Sequence, residues 1–170
     1  KNFWYKIYEP IIRKAAGLGV APLKPDPDRY EHKFEYCDVL VAGSGPSGLA
    51  SALAAAKNGA RVILAEDKPR FGGSLLTDEV TIGNKEGKDW ADETISQLKS
   101  LPNVIVKNRS QVFGYYDHNM MVMFERTKDH IENPNKFIPR QRLWYIRAKE
   151  VVISTGSIER PLVFGNNDRP

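Results

Sequence analysis

A single cysteine, Cys37, stands in the 170 residues. An internal disulfide framework and any multi-cysteine metal site are therefore excluded. Histidine is almost as scarce: His32, His118 and His130 do not fall at metal-ligand spacing, so no metal site is expected. His118 and His130 read as residues of a turn and a polar loop. No apolar run approaches the ~20 residues needed to span a membrane, and no secretory signal pattern opens the chain. The net charge is only +4, and Lys and Arg are scattered among the acids. A nucleic-acid stripe is absent. A reducing, cytoplasmic setting without membrane or nucleic-acid partners is the expectation. The chain starts at Lys1 without methionine and stops at Pro170, which reads as an excerpt of a longer polypeptide.

Residues 1–36 read as an amphipathic helix followed by an extended connector. Trp4, Ile7, Tyr8, Ile11, Ile12 and Ala15 fall on one helical stripe, with Pro10 as a kink or restart. Such a stripe is expected to pack on its own protein. Pro22, Pro25 and Pro27 then mark the connector over Gly17–Tyr36.

The pattern changes at Cys37, where a dinucleotide-binding α/β domain is expected to occupy 37–170. Asp38–Ala42 is a short apolar run of the kind buried on both faces of a parallel sheet. The turn Gly43-Ser44-Gly45-Pro46-Ser47-Gly48 follows, then an Ala/Leu-rich helix to Asn58-Gly59, and a second strand, Arg61–Ala65, closed by Glu66. Together these form a βαβ unit of the Rossmann type. Gly43 permits the tight turn, Gly45 lets backbone approach a pyrophosphate, and Gly48 lets helix and strand pack closely. The helix N-terminus offers free N–H groups and partial positive charge to a diphosphate. Glu66, eighteen residues after Gly48, is placed to accept from both ribose hydroxyls and to repel a 2′-phosphate.

A second amphipathic helix is expected from Trp90 to Leu101 and a third parallel strand at Val104–Val106. Residues 111–148 read as three antiparallel strands: QVFGYYD, a turn at His118-Asn119, MMVMFER, and LWYIRAK after a polar loop. EVVIST, 150–155, reads as a separate return to a buried strand ending at Gly156. Cys37 reads as a small buried hydrophobe. The alternating Tyr and Met residues of the 114–124 region read as core. Arg160 and Asn166-Asn167-Asp168 follow the last strand's carboxyl end, where open α/β sheets bind ligands, though a plain loop reads equally well.

The arrangement is that of a two-dinucleotide-binding flavoprotein: a central parallel sheet with an inserted antiparallel meander. Phe71-Gly72-Gly73-Ser74 follows Glu66 at the expected distance, and Ser154-Thr155-Gly156 resembles the ATG motif of flavoprotein reductases. To these add WYKIYEPIIRKAAGLG, VFGYYDHN and RLWYIRAKEVVISTGSIERPLVFGNNDRP, of which the FGYYDHN and ERPLVF..NDRP strings are far more restrictive than a dinucleotide fingerprint. Through them the chain resembles the alpha subunits of heterotetrameric sarcosine oxidases. Related alpha subunits of amino-acid and opine dehydrogenases and of hydrogen cyanide synthase share much of this.

The resemblance implies oxidative demethylation of sarcosine by a complex with beta, gamma and delta subunits, using oxygen and folate. It implies FAD on the beta subunit, FMN near the alpha–beta interface, and NAD at the alpha-subunit site. The residues matching that site are Gly43, Ser44, Gly45, Pro46, Ser47, Gly48, Glu66 and Asp67, with Gly73, Ser74, Thr155 and Gly156. No catalytic residue falls on this chain. Ser44, Ser47 and Ser154 stand where alanine is usual. Glu66 and the glycines suit the adenosine half of NAD or FAD equally, so FAD stays open, as does a redox-silent scaffold stabilised by its nucleotide.

Overall fold

The computed structural model describes residues 3–19, 24–157 and 164–165. Arg160, Asn166, Asn167 and Asp168, the expected contacts beyond the last strand, lie outside the described residues.

One mixed six-stranded sheet organises the chain. Its strands are β1 (Tyr30–Ala42), β2 (Val62–Ala65), β5 (Val104–Lys107), β6 (Ser110–Tyr116), β7 (Met120–Arg126) and β8 (Gln141–Ile153), in the order β5-β2-β1-β8-β7-β6. A small hairpin of β3 (Thr81–Ile82) and β4 (Lys85–Glu86) stands apart. The first four strands of that order are parallel, and β8-β7-β6 are antiparallel. The expected parallel sheet with an inserted meander is present.

The helices α2 (Pro46–Lys57) and α3 (Gly87–Ser100) cover one face of the parallel strands. Leu49, Ala52 and Ala56 from α2 meet Val41, Val62 and Leu64, while Ala91, Ile95 and Leu98 extend the same core from α3. Small residues on α2 let the helix lie close to the sheet, and each buried Leu or Ile contributes about 1.5–3 kcal/mol. On the opposite face Leu40, Ile63 and Ala65 pack against Met121, Met123, Trp144 and Ile146 of the meander.

This second core exists because the sheet rolls. Its two edge strands, β5 and β6, are consecutive in sequence, joined only by Asn108 and Arg109. Arg109 adopts φ +50° in that turn. The edges must therefore meet there, and Ser110 N–H donates to the backbone oxygen of Glu66 at 2.8 Å.

Beside Tyr115 and Tyr116, which read as core but are exposed on β6 while Met121 and Met123 are buried, three expectations need correction. The strand expected to start at Asp38 begins at Tyr30, so Tyr30–Tyr36 is strand and not connector. Its alternation is inverted relative to an ordinary half-buried strand: Tyr30 and Phe34 are exposed, while Glu31, Lys33 and Glu35 are half-buried. Arg142 pairs with Glu31, and the Lys33 ammonium lies 5.1 Å over the Trp144 ring, so the inward charges are satisfied. Second, LWYIRAK and EVVIST are one continuous strand, β8. It pairs with β1 from Tyr30↔Gln141 to Ala42↔Ile153 and with β7 over its first half. Third, the N-terminal stripe does not pack on the described protein. A wide helical turn, Trp4–Tyr8, runs into α1 (Glu9–Ala15), and neither buries a residue. Pro10 lacks the N–H that a regular helix requires there, which accounts for the wide turn.

Candidate functional site: a glycine-lined groove at the sheet's carboxyl end

The carboxyl ends of β1, β2 and β8 border a groove of about 1,060 Å³. Gly43, Ser44, Gly45, Pro46, Ser47, Glu66, Asp67, Gly73, Ser74, Thr155 and Gly156 all line it. Gly48 alone of the expected residues lies beneath the groove, buried between helix and strand.

The three fingerprint glycines have different local constraints. Gly43 sits at φ +99°, and a Cβ there would stand 2.3 Å from the Ser154 carbonyl oxygen. A Cβ on Gly48 would stand 2.1 Å from the Gly43 carbonyl oxygen and 2.5 Å from Ser154 Oγ. Gly45 is the opposite case: nothing lies within 4 Å of its would-be Cβ. It caps the N-terminus of α2, with Pro46 in the first turn, where a missing N–H costs nothing. Open space at Gly45, beside the unsatisfied N–H groups of a twelve-residue helix, fits a diphosphate pressed against backbone.

Across the groove Glu66 is only 7% exposed. Its Oε2 accepts from Ser44 N–H at 2.9 Å and from Ser44 Oγ at 2.5 Å, and its Oε1 accepts from Lys68 N–H at 3.0 Å. The second glycine loop closes on the first: Gly72 N–H donates to Ser44 O at 3.1 Å and to Ser44 Oγ at 3.2 Å. A Cβ on Gly73, at φ +56°, would stand 2.9 Å from Gly45 Cα. Ser154 Oγ lies 2.9 Å from the carbonyl oxygens of Ala42 and Gly43, and its single proton bonds one or the other. The serine in the ATG-like position thus fastens the end of β8 to the glycine turn.

Residues missed by motif reading also line the groove: Ser110, Gln111 and Val112 at the start of β6, together with Ala42, Ala65, Lys68 and Ser157; Ser154 of the ATG-like motif joins them. No sequence signal marks the β6 residues, because only the rolling of the sheet brings them beside Glu66. Among the described residues no group of three or more His, Cys, Asp or Glu side chains converges as for a metal, and no helix is long and apolar enough to cross a membrane. His118 lies in the β6–β7 turn at φ +58°, remote from the groove. Cys37 is wholly buried, and desolvation pushes its thiol up to about 12.

The family model for FAD-dependent oxidoreductases matches residues 38–129, more than half of the chain. The chain belongs to the FAD-dependent oxidoreductase family. It is 50% identical over 167 residues to the sarcosine oxidase subunit alpha of Rhizobium meliloti (strain 1021), covering 98% of this chain and 17% of that protein. The corresponding subunit of Corynebacterium sp. (strain P-1) is 41% identical over 156 residues, 91% of this chain and 16% of its own length. This chain therefore spans about one-sixth of these relatives. Both are called alpha subunits, which implies further subunits in those proteins. Among solved structures, L-proline dehydrogenase from P. horikoshii superposes with TM-score 0.62 at 24% identity, over 81% of this chain and 26% of that one. That likeness carries the fold alone.

Proposed function

We propose that this chain is the dinucleotide-binding segment of a sarcosine oxidase alpha subunit and that its groove holds NAD⁺. The observation that carries the reading is the groove itself. An open Gly45 at a helix N-terminus faces a buried carboxylate at the end of the next strand. The diphosphate would lie against Gly45 and the adenosine ribose near Glu66, whose carboxylate, with Asp67 beside it, disfavours a 2′-phosphate. Identity over nearly the whole chain to alpha subunits of sarcosine oxidase supports the parent reaction: sarcosine, oxygen and water give glycine, formaldehyde and hydrogen peroxide, with folate capturing the one-carbon unit. This chain's part is binding, with beta, gamma and delta subunits as partners and the cytoplasm as setting. Among the groove's charged side chains, Glu66 is held by Ser44 and the Lys68 N–H, and Asp67 pairs with the Lys68 ammonium at 3.6 Å.

The second reading is FAD in the same groove, which the matched family favours by its description. A flavin would bring a hydride acceptor, whereas NAD⁺ held without a substrate pocket would serve the structure only. The two are separated by releasing non-covalent ligands from the intact purified protein with acid and counting them per chain. One NAD⁺ per chain, lost in Gly45→Val, is expected. FAD without NAD⁺, removed by the same substitution, would make the groove a flavin site.

A further inference from the structure

Ser44 lines the groove, and its hydroxyl is spent on the protein. The residue is wholly buried, and Oγ donates to Glu66 Oε2 at 2.5 Å while accepting from Gly72 N–H at 3.2 Å. We propose that Ser44 is a positioning residue that sets dinucleotide affinity through Glu66, holding the carboxylate in its ribose-binding orientation before any ligand arrives. This rests on the reading that the groove holds an adenine dinucleotide.

An ionised carboxylate has about four acceptor positions, and three are taken, two by Ser44 and one by Lys68 N–H, which leaves Oε1 with about one for a ribose hydroxyl in place of the two expected from the sequence. Without the hydroxyl, Oε2 keeps only the Ser44 amide. Glu66 then regains rotamer freedom that ribose binding must remove again, and affinity falls accordingly. The Gly72 loop is not the route of the effect. Its N–H also reaches the Ser44 carbonyl oxygen at 3.1 Å, and that bond survives loss of the hydroxyl.

The test is a double-mutant cycle in the intact protein stripped of nucleotide, with NAD⁺ and FAD titrated separately. Ser44→Ala should weaken the ligand that binds by about tenfold, on the order of a single charge-assisted hydrogen bond. On a Glu66→Ala background the same change should cost less than about twofold. An NAD⁺ or FAD analogue carrying 2′,3′-dideoxyadenosine should likewise be insensitive to Ser44→Ala, which a general loosening of the fold would not produce. If Ser44→Ala does not fold, Ser44→Thr, which keeps the hydroxyl, takes its place. Affinity near wild type then supports the proposal, and a loss equal to that of Glu66→Ala overturns it. Equal losses from Ser44→Ala with and without Glu66 would overturn it too, as would no loss at all while Glu66→Ala weakens binding. Unchanged affinity in Glu66→Ala itself would instead remove the ribose reading on which the proposal stands.

Discussion

Gly45 and Gly48 stand within one helical turn yet answer to different demands. A side chain on Gly48 would collide with the Gly43 carbonyl, so Gly48→Ala must push α2 off the sheet. Overpacking of this kind costs about 1–3 kcal/mol, and a fall in Tm with some retained ligand is expected. At Gly45 an added Cβ has no protein atom within 4 Å, so Gly45→Val begins in open space. Its stability change should stay near 1 kcal/mol, the scale of a helix-cap substitution, while nucleotide occupancy disappears. Thermal melting beside ligand release checks both, and a Gly45→Val protein that keeps its ligand would refute the diphosphate placement. Cys37 makes a simpler case. Wholly buried and with its thiol at about 12, it should resist a maleimide at pH 7 in the native protein and react after unfolding. At this scale the glycine turn and Glu66 were legible, because Gly43 and Gly48 answer local requirements of strand–turn–helix geometry and the spacing to the strand-end carboxylate is regular. Ser44's bond to Glu66 was not legible, since a serine in a glycine turn announces no partner twenty-two residues on.

Among the elements, β1 and β8 show where sequence pattern misleads. The Lys149-Glu150 pair divides two apolar runs and reads as a break. In the structure Lys149 reaches across to Asp38, and Glu150 pairs in register with Val39. Likewise the charges of Tyr30–Tyr36 read as connector because the partners of Glu31 and Lys33, Arg142 and Trp144, lie more than a hundred residues away. Along and beside this seam Asp28 pairs with Lys128 and Arg140, Glu31 with Arg142, and Asp38 with Lys149. Hydrogen bonds from these basic side chains, chiefly, hold all three carboxyls below the ordinary range. A carboxyl with a depressed folded value contributes stability that is complete above its unfolded value, about 4, and is lost as pH falls through the folded one. The melting temperature should therefore decline below about pH 4, and less steeply when Arg142→Met has already removed one partner. An unchanged acid slope in that variant would show that the Glu31–Arg142 pair adds nothing to the seam.

For the whole molecule, the described residues hold two cores and a glycine-lined groove, which we read as a nucleotide cradle. Expressed alone, the chain should produce no hydrogen peroxide from sarcosine above a boiled control, and a measured turnover would overturn its assignment to binding. The architecture at this scale was legible from the order of motifs, whereas the rolling of the sheet was not. Rolling follows from a two-residue link between the two edge strands, which is visible only once the strand order is known.

The pairing of β1 with β8 has a consequence for the protein's birth. Glu31 and its partner Arg142 are 111 positions apart, and among the described residues the Tyr30–Tyr36 half of β1 has no strand beside it other than β8. At about 5–20 residues per second, a ribosome needs roughly 6–20 s to deliver the missing partner. Throughout that interval a nascent strand bearing Tyr30, Phe34 and Tyr36 waits with its backbone open. A chaperone that shields open strands during translation is expected to act on this stretch.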